Sequence, residues 1–120
     1  MRQSDVDASA ILVVDDDEDV RDMITGVLEL QGFTVLQASN GREAMALLRE
    51  NPAVSLLFSD VRMPGMTGTE LAQRAREMRP ELRVVLTTGF AREQIPADTP
   101  VIHKPFRVGD LIAIVRRAIE

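Results

Sequence analysis

The sequence predicts an α/β fold: a parallel five-stranded sheet with helices packed on both faces. Three observations predict it. Short apolar runs at 11–14, 55–59, 84–87 and 101–102 have the little-interrupted aliphatic character of strands buried on both faces. Stretches of helical periodicity separate them. Each run also ends in polar residues: Asp15, Asp16 and Asp17 after the first, Asp60 after the second, Thr88 and Gly89 after the third, Lys104 and Pro105 after the fourth. In an open parallel sheet the carboxyl ends of the strands line one crevice, where ligands bind.

The elements follow in order. After strand 11–14, Asp17 is placed to cap a helix, with Glu18 and Asp19 in its first turn complementing the helix dipole. Val20, Met23, Ile24, Val27 and Leu28 repeat at helical spacing, and Gly32 is the stop. Residues 34–36 make the second strand. Asn40 is placed to cap a helix turning Ala44, Leu47 and Leu48 inward. Strand 55–59 leads into the turn Met63, Pro64, Gly65, Met66. A helix then carries Leu71, Ala72, Ala75 and Met78 and is ended by Pro80. After strand 84–87, residues 91–99 contain Pro96, which would break a long helix, so a single turn or irregular chain is expected. Strand 101–102 precedes a last helix with Leu111, Ile114, Val115, Ala118 and Ile119 on one face.

Strands alternating with helices imply right-handed βαβ crossovers. The expected arrangement is a flavodoxin-like (βα)5 sandwich with strand order 2-1-3-4-5. Residues 1–9 read as a polar lead-in and 10–120 as one domain, with no output domain following. A chain of 120 residues can build one core. Its net charge of -5 argues against binding a phosphate backbone directly. With no cysteine, a thiolate metal site is excluded. No apolar stretch is long enough for a bilayer and the N-terminus lacks a signal-peptide core, so no membrane insertion and a cytoplasmic location are expected.

Asp15, Asp16 and Asp60 would repel one another in a shared crevice unless a cation joined them. Mg²⁺ suits such a set, since it takes oxygen ligands and keeps several waters. A carboxylate can also accept a phosphoryl group, a transfer that asks mainly for positioning and charge neutralisation. Thr87 and Thr88 compete for the hydroxyl role, and either could be a simple strand former. Lys104 offers a point charge on a long stem. Asp17, Glu18 and Asp19 fit an acidic helix start. His103 is given no role.

In order and spacing these residues resemble the receiver domain of two-component response regulators, over nearly the whole chain. The resemblance implies Asp60 as the phosphoacceptor, Thr88 as the hydroxyl that bonds a phosphoryl oxygen, and Lys104 as the cationic anchor, paired with Asp60 at rest. It implies Mg²⁺ held directly by Asp16 and Asp60, with Asp15 acting mostly through water and the backbone carbonyl of Arg62 as a further ligand. It implies a cis bond before Pro105. The implied partner is a sensor histidine kinase or a histidine phosphotransfer protein, docking on the first-helix side by Asp19, Val20, Met23 and Ile24. Such domains help catalyse their own phosphorylation and dephosphorylation and turn over no separate substrate. Two positions depart from the family pattern. Val101 stands where Tyr or Phe is frequent, and the stretch 89–100 is short. Shortened forms resemble receivers found with sensor or hybrid histidine kinases, and a monomer is expected.

Two other readings fit less of the chain. A receiver-fold interaction module without phosphorylation would not need all the motif positions. A haloacid-dehalogenase-like phosphatase would use Asp15 and Asp17, but Asp19 stands where Thr or Val is expected and the chain is too short for that fold.

Overall fold

The computed structural model describes residues 10–89 and 95–120. The lead-in 1–9 and part of the stretch expected to be irregular, 90–94, lie outside the described residues. Strand β1 (Ala10–Val14) leads to helix α1 (Glu18–Leu30), β2 (Val35–Ala38) to α2 (Gly41–Glu50), and β3 (Val54–Asp60) to α3 (Gly68–Met78). Then come β4 (Arg83–Thr88), β5 (Val101–His103) and α4 (Val108–Ile119). Every strand pair is parallel and the order is β2-β1-β3-β4-β5, the flavodoxin-like arrangement. Residues 95–100 carry no helix.

Alternation along each strand divides the core in two. Leu12, Val14, Leu57, Val84 and Leu86 face Ala44 and Leu48 of α2 and Leu71 and Ala75 of α3. Ile11, Val13, Leu56, Phe58 and Val85 face Ile24 and Leu28 of α1 and Leu111 and Val115 of α4. All of β1 is buried, which is why its sequence shows no alternation.

Local chemistry sets the helix starts. The Asp17 carboxylate accepts from the backbone N–H groups of Asp19 and Val20 at 3.0 and 3.2 Å, and Asn40 accepts from the N–H of Glu43 at 2.8 Å. Both caps are as expected. Thr67 and Glu70 add a reciprocal capping box on α3, a T-x-x-E pattern that the sequence reading passed over. Helix α1 ends before Gly32, whose φ is 94°. Helix α3 stops at Met78, ahead of Pro80, because the Arg79 backbone leaves helical geometry. Met78 and Met23, both counted in the helical repeats of apolar residues, are 37% and 43% exposed. They lie at the edges of their helices' apolar stripes, where part of the side chain meets solvent.

Candidate functional site

The carboxyl ends of β1, β3, β4 and β5 form one rim. Backbone bonds continue the sheet's ladder past the strand ends and hold it: the N–H of Asp15 donates to Ala38, that of Val61 to Thr87, and that of Lys104 to Thr88. The chain direction at each functional side chain is therefore fixed by its neighbouring strand. The bond from Lys104 to Pro105 is cis, as expected.

Asp15 lies just beyond β1 and is 2% exposed. One carboxylate oxygen accepts from the N–H of Asp17 at 2.9 Å, and the other lies 3.2 Å from Lys104 Nζ. Its carbonyl accepts from Arg21 Nη1 at 2.8 Å. Asp16 is exposed. Asp60 ends β3, and its side chain is 11% exposed. The approach to Asp60 is therefore a narrow one at the end of a buried strand. Ligand oxygens of Asp15, Asp16 and Asp60, one from each, lie within 4.8 Å of one another.

Lys104 stands 3.3 Å from Asp60. The expected pairing with Asp60 is present, and the ammonium also reaches the buried Asp15, so that it bridges the two carboxylates. Burial pushes the Asp60 carboxyl above its usual range. Lys104 opposes that shift, the Asp15 charge adds to it, and the Lys104 hydrogen bond and the backbone N–H of Arg62 oppose it. Burial alone would lower the Lys104 ammonium, but Asp15 and then Asp60 outweigh it and hold it above its ordinary value.

Thr88 ends β4 and is buried. Thr87 is the register partner of Asp60 and shares a sheet face with Val85. Its buried hydroxyl has no partner among the described residues. Beside Lys104 a small apolar cleft is lined by Val20, Met23, Pro105 and Phe106. Of the four residues expected on the docking side, Asp19, Val20 and Met23 reach the surface. Ile24 does not. It is 1% exposed and packs against the sheet, because its place on the helical wheel is the centre of the apolar stripe. Phe106 lines the cleft beside Val20 and Met23 where Ile24 does not.

Sequence reasoning missed two residues at this site. Gly68 begins α3 directly against the backbone of Asp60 and Val61. Arg21 reaches back from α1 to the Asp15 carbonyl. Neither has a local signal, since each is defined by what it meets in space. No helix among the described residues is long and apolar enough to cross a membrane.

Comparison with known proteins agrees with this geometry. The family model for the response regulator receiver domain matches residues 11–116. The response regulator receiver protein CpdR of Brucella abortus (strain 2308) is 38% identical over 115 residues, 91% of this chain and 95% of that protein. The C4-dicarboxylate transport transcriptional regulatory protein DctD of Rhizobium meliloti (strain 1021) is 36% identical over 94% of this chain, which spans 26% of that longer protein. The crystal structure of the receiver domain of the hybrid histidine kinase CckA superposes with a TM-score of 0.83 at 30% identity, covering 93% of this chain and 100% of that one. A parallel sheet in the order 2-1-3-4-5, an acidic cluster at its carboxyl end and this family match have one meaning: the chain belongs to the response regulator receiver domains, the phosphoacceptors of two-component signalling.

Proposed function

We propose that Asp60 is the phosphoacceptor and that residues 10–120 act as one receiver unit. The observation that carries this reading is the placement of the Asp60 carboxylate between the acidic pair and the Lys104 ammonium. In the transfer, the P–N bond of a kinase phosphohistidine breaks and its electron pair returns to the imidazole. An Asp60 oxygen forms the new P–O bond, giving an acyl phosphate. Lys104 then binds one phosphoryl oxygen and the Thr88 hydroxyl donates to another.

The donor set fits Mg²⁺. It is all hard oxygen, one member is exposed, and three carboxylates gather more negative charge than one lysine offsets. Asp16 and Asp60 are the direct ligands in this reading, with the Arg62 carbonyl. Asp15 is engaged by Lys104 and the Asp17 N–H, which suits a role through water. Bound there, Mg²⁺ would neutralise charge shared by the carboxylates and the phosphoryl oxygens. Self-catalysed dephosphorylation follows when water attacks the acyl phosphate. No separate substrate is turned over.

The partner is a sensor histidine kinase or a histidine phosphotransfer protein, met at the cleft of Val20, Met23 and Phe106, and the protein works in the cytoplasm as a monomer. Incubation with acetyl phosphate and Mg²⁺ should add one phosphoryl group, seen by intact mass, and Asp60→Asn should abolish it. Stable labelling of that variant at another residue would overturn the assignment.

A further inference from the structure

Arg21 lies in α1, yet its guanidinium turns back to the loop that begins the site. Nη1 donates to the Asp15 carbonyl at 2.8 Å, and Nε donates to the side-chain oxygen of Gln37 at 2.9 Å. Gln37 belongs to β2, where it pairs in register with Val13 of β1. One planar fork thus links α1, β2 and the β1–α1 loop.

The Asp15 carbonyl belongs to the peptide that joins Asp15 to Asp16, and a peptide is a rigid plane. Its orientation sets where the Asp16 side chain leaves the backbone. The two acidic residues are held very differently. Asp15 has partners for its N–H, its carbonyl and both carboxylate oxygens. Asp16 is exposed, and no side chain among the described residues grips its carboxylate. What aims Asp16 is the peptide before it, and Arg21 grips that peptide.

We infer that Arg21, tied to Gln37, is a positioning residue that presets the Asp15–Asp16 peptide and so aims Asp16 at the cation. The inference rests on the reading of Asp16 and Asp60 as cation ligands. The fork matters more than the charge. Arginine carries several donors in a fixed plane, whereas lysine is a single compact point. Groups that orient a ligand from behind typically change metal affinity about tenfold or more when removed.

The sign of the effect separates this role from simple electrostatics. Deleting a positive charge beside a cation site should tighten cation binding; deleting a positioning group should weaken it. The test is stepwise addition of Mg²⁺ to the unphosphorylated full chain, followed by amide chemical shifts, for wild type, Arg21→Ala, Arg21→Lys and Gln37→Ala. Melting temperature without Mg²⁺ is measured alongside. About tenfold weaker binding is expected in both Arg21 variants, with a smaller loss in Gln37→Ala. Arg21→Lys, which keeps the charge, should not rescue. Unchanged or tighter Mg²⁺ binding in Arg21→Ala, or full rescue by Arg21→Lys, overturns the inference. So does a loss of melting temperature with unaltered Mg²⁺ affinity, which marks Arg21 as merely structural. Absence of Mg²⁺-dependent shifts at Asp16 and Asp60 in the wild type would instead overturn the ligand assignment itself.

Discussion

A β-carbon on Gly68 would collide with the backbone carbonyl oxygen of Asp60. It would also stand 2.9 Å from the Cα of Val61, and the Gly68 N–H donates to the Val61 carbonyl at 2.8 Å. The first turn of α3 therefore lies directly on the backbone that presents Asp60. Both obstacles are main chain, so no side-chain rotation relieves them.

Gly68→Ala should accordingly cost about 2 kcal/mol or more, in the range of forced overpacking, and shift the end of β3. Urea unfolding measures the first effect and the rate of labelling by acetyl phosphate the second. A variant as stable as wild type with unaltered labelling would show that α3 can move away freely.

Asp60→Asn should stabilise the metal-free protein at neutral pH. The folded-state pKa of Asp60 is raised above 3.8, so the fold disfavours the ionised carboxylate. The penalty is present above the folded pKa, shrinks as pH falls through it, and is absent once pH lies below the unfolded value. The melting-temperature advantage of Asp60→Asn should follow the same course. An advantage that grows toward acid pH would contradict the direction of the shift.

Lys104→Ala leaves two converging carboxylates without their shared cation. Asp15 is 2% exposed and cannot turn to water. Removing one partner of a largely buried pair is costly, and a loss of about 2 kcal/mol is expected at neutral pH. Adding Asp60→Asn to Lys104→Ala should recover much of it, because one of the two repelling charges is gone. Equal stability of wild type and Lys104→Ala would mean the bridge is solvated in practice.

Asp16→Ala and Asp17→Ala should fail in different ways. Asp16 belongs to the acidic cluster, so its loss should abolish most Mg²⁺ binding with little change in metal-free stability. Asp17 caps α1, so its loss should cost about 1 kcal/mol and leave Mg²⁺ affinity near wild type. Mg²⁺-dependent chemical shifts and thermal unfolding, run on both variants, separate the two. Matching profiles would put the register of the acidic run in error.

Beryllofluoride, a phosphoryl mimic, should leave the protein monomeric by light scattering. A symmetric interface needs the same well-formed patch on both subunits. Here Val101 stands at the start of β5 and residues 95–100 carry no helix. A shift to dimer that disappears on mutating residues 91–99 would overturn this expectation.

Much of the site was legible because parallel strands buried on both faces read as continuous apolar runs, and their ends stand out as abrupt polarity. Asp15, Asp60 and Lys104 stand out that way, whereas the choice of Thr88 over Thr87 rests on the family resemblance. What the chain does not spell out are encounters between distant residues. Lys104 meets Asp15 across 89 positions, and no pattern near either residue announces it. Ile24 and Met23 look alike as neighbouring apolar residues of α1, yet one is the stripe's centre and the other its solvent margin. Gly68 looks like turn chemistry until the carbonyl in its path is seen.

At the opposite end of the sheet, Arg79 spreads its guanidinium over three carbonyls, those of Leu48, Asn51 and Val54. It closes the end of α2 and the start of β3 with one side chain, supplying the partners that a helix's last carbonyls lack. The two ends of the molecule should therefore exchange amide hydrogens on different clocks. Amides at the Arg79 end are expected to open on a slower clock than those at the crevice, which should open locally. A phosphoryl group at Asp60 would slow the second clock and leave the first untouched.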